Sequence, residues 1–409
     1  MTIKAFRLLP LAALCAFSIQ AQTEQSAEQR IEQLERQVAL LSEQQASTMS
    51  DRFTFNGFAS VAMQVSDNDA GFAGATNQAE FDNGSLVGLQ GSFNVAEGTD
   101  VTVQLVARGE DDWDPEVEWA FISHHFDNGL TARAGKLRLP LFMLSDYLEV
   151  GYATPWVRVP EEVYGTVVVS SFTGVDVLYD IELDDSTVSL QAFGGNRTVS
   201  ASKSSLGVET KFRDIIGGVV SWTDETVTLR ASYTQAKVNG DEDWNIDGNV
   251  IPMTTFDSDK ATFIGLGARY DQGNFFALSE LTRTEVEGFY QDVDAAYLTL
   301  GYNVNSLTPY VSVARSETKD NDERAVDFPI NQQTIQLAQV KGMQQALLDI
   351  ERTSYSAGLR WDVQSNVAIT TDVTYSTDFG DTRGGLSGAA TDSTIDDTIV
   401  YTVKLDVMF

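Results

Sequence analysis

The chain is short of cysteine, histidine, basic residues and long apolar runs, and each shortage removes a class of protein. Cys15 is the only cysteine in 409 residues. It lies in a stretch expected to be cleaved, so the mature chain has neither a disulfide framework nor a thiolate metal site. His124 and His125 are the only histidines. Neighbours on a strand point to opposite faces, so the pair cannot clamp one metal ion or act as base on one substrate. Glycine-rich phosphate loops leading into a helix are missing, and Gly109-Glu110-Asp111-Asp112 and Asp241-Glu242-Asp243 lack the ligand register of a calcium loop. No catalysis, no cofactor and no dedicated metal site are therefore expected. With 27 basic against 59 acidic residues, the chain is a poor match for nucleic acid, which needs a cation for each phosphate contact. No run of about 18 apolar residues occurs beyond the N-terminus, which excludes a transmembrane helix. It does not exclude a membrane barrel, because strands of ~10 residues cross lipid with only every second side chain apolar.

The first residues carry Lys4 and Arg7, the run Leu8 to Ile19, then Gln20-Ala21. These are a charged region, an apolar region and a small residue at a cleavage point, so 1–21 is expected to be a signal peptide cut after Ala21. Leu14 is a poor residue to precede a lipidated Cys15. In 22–50, Ile31, Leu34, Val38 and Leu41 form an a/d seam. About three turns are marginal alone, so a periplasmic coiled coil is expected only where sister chains bring their copies together.

After Arg52 the period changes from 3.6 to 2 and remains there. Val101, Val103, Leu105 and Ala107 alternate with Thr102, Gln104, Val106 and Arg108. Val227, Leu229, Ala231 and Tyr233 alternate with Thr228, Arg230, Ser232 and Thr234. Tyr355, Ala357, Leu359 and Trp361 continue this outward apolar phase, as do Ile369, Thr371, Val373 and Tyr375. Such runs begin near 16 positions, which predicts an all-β fold: a transmembrane antiparallel β-barrel of about 16 strands over 51–409, preceded by the short coiled-coil helix. Short links such as 127–129 and 223–225 alternate with long acidic ones such as 241–248 and 319–327. Trp113, Trp119, Trp222, Tyr270, Tyr302 and Tyr401 recur near strand ends, where amphipathic rings meet the headgroups. Two insertions break the spacing. Leu137–Ser171 is long enough to fold back into a lumen, and Asn331–Arg352, with Ile335, Val340, Leu347 and Ile350, predicts a short external helix.

The coil at 27–45, the segment AGKLRLPLFMLSDYLEVGYATPWVRVPEEVYG at 134–165 and the last strand YTVKLDVMF at 401–409 together resemble the trimeric outer-membrane porins of Gram-negative cells. The resemblance is to the group in which a coiled coil leads the barrel, as in phosphate-selective and related anion porins. It covers nearly everything after the signal peptide. It implies that Tyr401, Val403, Leu405, Val407 and Phe409 form the terminal signal read by the barrel-assembly machinery. It also implies an inward-folded loop over about 137–171, with Lys136, Arg138 and Arg158 as a cationic wall and Asp146, Glu149, Glu161 and Glu162 opposing them. Arg108, Arg133, Arg230, Arg269 and Arg360 fall on polar strand faces and form a candidate basic track along the lumen. Asp176, Asp180, Asp362, Asp372 and Asp406 share such faces, and lysines are few, so the lysine ladder of phosphate-selective porins does not carry over.

The expected function is a water-filled outer-membrane channel for passive diffusion of small hydrophilic solutes and ions. Expected partners are outer-membrane lipid, lipopolysaccharide, two further copies in a homotrimer, the assembly machinery and the solutes. Two rivals stand beside it: a non-conducting barrel whose acidic loops bind a surface partner as an adhesin, and a secreted soluble β-sandwich or solenoid. The residues do not choose between anion and cation preference.

Overall fold

The computed structural model describes residues 52–409 except 168, 201–208, 247–248, 289, 326–328, 332–333 and 393. The expected signal peptide and coiled coil, 1–21 and 22–50, lie outside the described residues. Sixteen strands follow in chain order. They are β1 (Phe53–Ser66), β2 (Leu86–Ala96), β3 (Thr99–Arg108), β4 (Pro115–His125), β5 (Leu130–Arg138) and β6 (Ser171–Glu182). Next come β7 (Thr187–Val199), β8 (Thr210–Thr223), β9 (Val227–Ile246), β10 (Asn249–Gln272) and β11 (Phe275–Val286). The last are β12 (Val293–Tyr302), β13 (Leu307–Thr318), β14 (Glu351–Gln364), β15 (Val367–Thr377) and β16 (Thr398–Met408). Each pairs with its sequence neighbours, and β16 returns to β1 to close an antiparallel barrel.

Closure runs from Phe58 opposite Met408 to Ser66 opposite Val400. It removes the free edges that lipid could not hydrate. The alternation expected from the sequence sets the faces. Val103, Leu105, Leu229, Tyr233, Tyr355, Leu359, Trp361, Tyr401 and Val403 are exposed on the outside, while Thr102, Gln104, Ser232, Thr234, Thr370 and Thr402 are buried inside. An exposed apolar belt around a polar interior is stable only with hydrocarbon outside.

Most links at the end that holds Phe409 are two to four residues long, such as Glu97-Gly98 and Ser365-Asn366, whereas the other end carries the long loops. One expectation of extent changes there. The acidic stretch 241–248 is not simply a loop, because β9 and β10 stay paired out to Ile246 opposite Asn249, forming a hairpin arm beyond the shorter strands. The external helix is present as Ile335–Leu348, with Ala338 and Leu348 buried and Ile335 and Leu347 exposed. Trp119 also departs from the expected aromatic belt. A bulge in β4 pairs Gln104 with Trp119 and Leu105 with Val117, which aligns Trp119 with the buried Gln104 rather than with the outward Leu105.

A slip of one residue would exchange the two faces of a strand. Leu266, mid-strand in β10 and half exposed, tests the register. Leu266→Arg should destabilise the folded barrel by about 2–4 kcal/mol in urea titrations from lipid vesicles; no loss would mean that this position faces the lumen.

Candidate functional site

The link between β5 and β6, residues 139–170, does not stay outside. It turns into the barrel and seats on the inner wall at several separated points. Near its start the loop lies on β9: Arg230 donates to the Pro140 carbonyl at 2.9 Å and Ser232 to the Leu141 carbonyl at 2.6 Å. Next, Met143 N–H donates to a Glu280 carboxylate oxygen on β11 at 2.8 Å. The other oxygen accepts from Tyr297 of β12 at 3.0 Å and from Tyr164 of the loop. Burial and the facing Glu280 carboxylate hold the Tyr164 hydroxyl well above its usual range, so it remains the donor. A carboxylate buried this deeply is tolerable because three donors surround it.

The middle of the loop continues around the wall over β12 to β16. Arg360 of β14 donates to the Tyr152 and Thr154 carbonyls at 2.7 and 2.6 Å, and the Trp156 indole N–H donates to Thr299 of β12 at 2.9 Å. Lys404 of β16 holds the Val157 carbonyl at 3.1 Å. Val157 N–H reaches the Tyr310 hydroxyl at 3.3 Å. Tyr310 can lie flat there because its register partner is Gly358, where an added Cβ would come within 2.2 Å of the ring. Arg158 then reaches Gln64 of β1. Glu162 accepts from Arg352 at 2.9 Å and from Ser354 at 2.6 Å, both on β14.

Leu139, Leu141, Phe142, Leu144, Trp156, Val163, Tyr164 and Val169 of this loop pack with wall residues such as Phe172, Phe263 and Tyr297 into one apolar cluster inside the barrel. Each fully buried large side chain of this kind contributes about 1.5–3 kcal/mol. The loop is thus a packed internal layer, and the lumen is divided about it. On the side of the long loops lies a cavity of about 560 Å³, with Arg108, Arg158 and Arg352 facing Glu110, Glu149, Glu161 and Glu162. Towards the short turns lies a second of about 240 Å³, lined by Tyr147, Trp156, Arg269, Asp271, Arg360 and Asp362.

No family model and no curated protein sequence matches the chain. Solved structures match in fold. OmpT of Vibrio cholerae is 13% identical with a TM-score of 0.55, over 87% of this chain and 97% of that chain. OmpF of Salmonella typhi, solved with daunomycin, is 13% identical with a TM-score of 0.56 over the same shares. An anion-selective porin from Comamonas acidovorans is 12% identical with a TM-score of 0.54, over 87% of this chain and 99% of that chain. The chain has the outer-membrane porin fold. This barrel carries an apolar outer belt suited to lipid.

Among the residues expected at a porin constriction, Glu149, Arg158, Glu161 and Glu162 line the larger cavity. Asp146 is an exposed residue of the loop. Arg138 is buried, bonded to Glu118 and to the Ser145 carbonyl, and so anchors the loop base rather than facing the water. Lys136 needs correction. It stands opposite Ala120 on β4 and Thr173 on β6, whose i+2 neighbours Ile122 and Val175 are outward and exposed. Lys136 therefore lies on the outer face and donates to the Val117 carbonyl.

The five arginines of the expected track all face the interior, but they do not form an open ladder. Arg108 is bound by Glu149 at 2.8 Å and Glu118 at 3.1 Å, Arg133 by Asp176, Arg269 by Asp271 at 2.8 Å and Arg360 by Asp362 at 2.8 Å. Arg230 is spent on the Pro140 carbonyl. At the C-terminus Tyr401, Val403 and Leu405 face outward, and Val407 pairs with Ala59 of β1. Phe409 is bonded through its backbone to Gly57.

Sequence reasoning missed Glu280, Tyr164, Tyr297, Tyr310 and Arg352. Glu280 carried a usable signal, since it interrupts the inward row Phe276, Leu278, Thr282 with a carboxylate that lipid or an apolar core would reject unpaired.

Removing Glu162 would leave Arg352 buried without its carboxylate, a loss of about 3–5 kcal/mol for a buried pair. Glu162→Ala should release the loop, so that trypsin cuts the folded barrel after Arg158 while the parent chain resists. Equal resistance, followed by mass spectrometry of the fragments, would show that the pair does not hold the loop.

Proposed function

We propose that the protein is an outer-membrane channel for passive diffusion of small hydrophilic solutes, constricted by the inward-folded loop. The carrying observation is the charged cavity in which Arg108, Arg158 and Arg352 face Glu110, Glu149, Glu161 and Glu162 above that loop. Opposed charges in a confined aqueous path order water and orient dipolar solutes. Two pairs cancel there: Arg108 with Glu149 at 2.8 Å and Arg352 with Glu162 at 2.9 Å. Arg158 then faces two carboxylates, Glu110 and Glu161, and the whole chain carries a formal charge of −32. The field at the constriction consequently favours cations, more so at low salt, where the screening length is longer. Assembly as a homotrimer, contact with lipopolysaccharide and insertion by the assembly machinery fit the same reading.

A second reading, a non-conducting barrel whose external loops bind a surface partner, is favoured by one observation. The loop is bonded to wall residues on β1, β9, β11, β12, β13, β14 and β16, as a plug would be.

Single-channel recording of the detergent-purified chain in planar bilayers separates the two. Stepwise conductance with a cation-signed reversal potential under a salt gradient is expected, and Arg158→Ala should move that potential further towards cations. Silence from folded, heat-modifiable protein would establish the plugged barrel. Partial loss of water at the mouth, followed by the neighbouring Asp111 carboxylate, holds the Glu110 carboxyl above the usual carboxylate range. As pH falls, Glu110 should thus lose its charge before ordinary carboxylates do, and cation preference should drop in a step that Glu110→Gln removes. A pH profile unchanged by that substitution would exclude Glu110 as its source.

A further inference from the structure

The charges that line the larger cavity do not all cancel, and those left over have a definite pattern. Arg108 is neutralised by Glu149 at 2.8 Å and Arg352 by Glu162 at 2.9 Å. Arg158, Glu110 and Glu161 remain, and among the described residues no ion pair joins any of them to a partner. The Arg158 guanidinium is held by a neutral group instead, donating to the side-chain oxygen of Gln64 on β1. Gln64 is fully buried and is fixed in turn by donating to the Ala73 carbonyl at 3.2 Å. This tether places the cation without cancelling its charge. Asp372 lines a neighbouring recess together with Arg158, but it takes the Tyr310 hydroxyl at 3.0 Å. Glu161 follows Arg158 closely on the inward loop and lines that recess too. Glu110 stands exposed at the mouth, in the short helical turn Gly109–Asp111 that follows β3.

We propose that this cavity is a binding site for amino acids with a second cationic group, molecules such as lysine that carry one carboxylate and two cations. The inference deepens the channel reading and rests on it for the solute's passage. One fixed positive charge and two fixed negative ones are the complement of that solute. A guanidinium pairs a carboxylate through directed, charge-assisted hydrogen bonds. The α-ammonium beside that carboxylate would face Glu161, and the distal cation would extend towards Glu110 at the mouth. Other solutes leave the pattern unmatched. A neutral sugar compensates none of the three charges, a simple amine leaves Arg158, and a dicarboxylate adds negative charge beside two carboxylates. The space of about 560 Å³ lies within the ~300–1,000 Å³ of small-molecule sites. Because it is open to water, binding there is weak, as a site on a conducting path must be for the solute to leave.

The test is isothermal titration calorimetry of the full chain folded in detergent micelles, in about 0.1 M salt to screen the acidic external loops. Three solutes of similar length are compared: lysine, norleucine, which lacks the distal cation, and 1,5-diaminopentane, which lacks the carboxylate. Lysine should bind best and each of the others about tenfold more weakly, the effect of one charged hydrogen-bonded contact. Arg158→Gln should remove the preference for lysine over 1,5-diaminopentane. Glu110→Gln combined with Glu161→Gln should remove its preference over norleucine, and heat-modifiable migration on gels confirms that each variant is folded. In planar bilayers lysine should interrupt the single-channel current more than norleucine does. Equal affinity of the parent chain for all three solutes, or no lysine binding, would overturn the site even in a channel that conducts. So would a preference over 1,5-diaminopentane that survives Arg158→Gln. Lysine binding of the expected kind in a chain that never conducts would overturn the channel reading and keep the site.

Discussion

The rest of the structure depends on one requirement: in hydrocarbon every backbone N–H and C=O must find a partner within the protein. A sheet that crosses lipid must therefore close, and here closure joins β1 to β16 at the very end of the chain. Once closed, the strands have only two environments to offer their side chains. The outer one accepts Val103, Leu229, Leu266, Leu359 and Val403, while the inner one takes the threonines, serines and charges. A ring of 16 strands is too wide for its inward side chains to fill, so something else must enter or the interior must remain water.

The inward loop is that something, and its chemistry follows from entering a space already lined with polar groups. It could not be held by apolar contact alone, because Arg230, Glu280, Arg352, Arg360 and Lys404 on the wall would have been left buried without partners. The loop instead supplies its carbonyls to Arg230, Arg360 and Lys404, its amide and Tyr164 hydroxyl to Glu280, and Glu162 to Arg352. Apolar packing of Phe142, Trp156 and Tyr164 then fills the space between these pins. Charge left over from the pinning faces the larger cavity. The same division leaves the β8–β11 side with few charges and an apolar pocket.

Strand phase was legible because burial on one side and lipid on the other impose a strict period of two. Thr99–Arg108 and Tyr355–Trp361 could be assigned to faces directly. Phase was lost where the backbone departs from that period: the bulge in β4 turned Trp119 inward. Lys136, next to the loop in the chain, followed the outward phase of β5 instead of the loop. The helix Ile335–Leu348 was foreseeable from its composition, but not its buried face, because that depends on what lies beneath it.

By itself the sequence determined a period of two, lipid-suited outer faces, an even set of about 16 strands and one insertion long enough to enter the lumen. These follow from local rules, since each side chain's face is set by its position along its own strand. Which charges remain exposed to the lumen was decided only by the tertiary structure. Arg138 and Arg158 look alike in the chain, yet one is buried against Glu118 and the other lines the cavity, because their partners come from strands far apart in sequence that closure alone brings together.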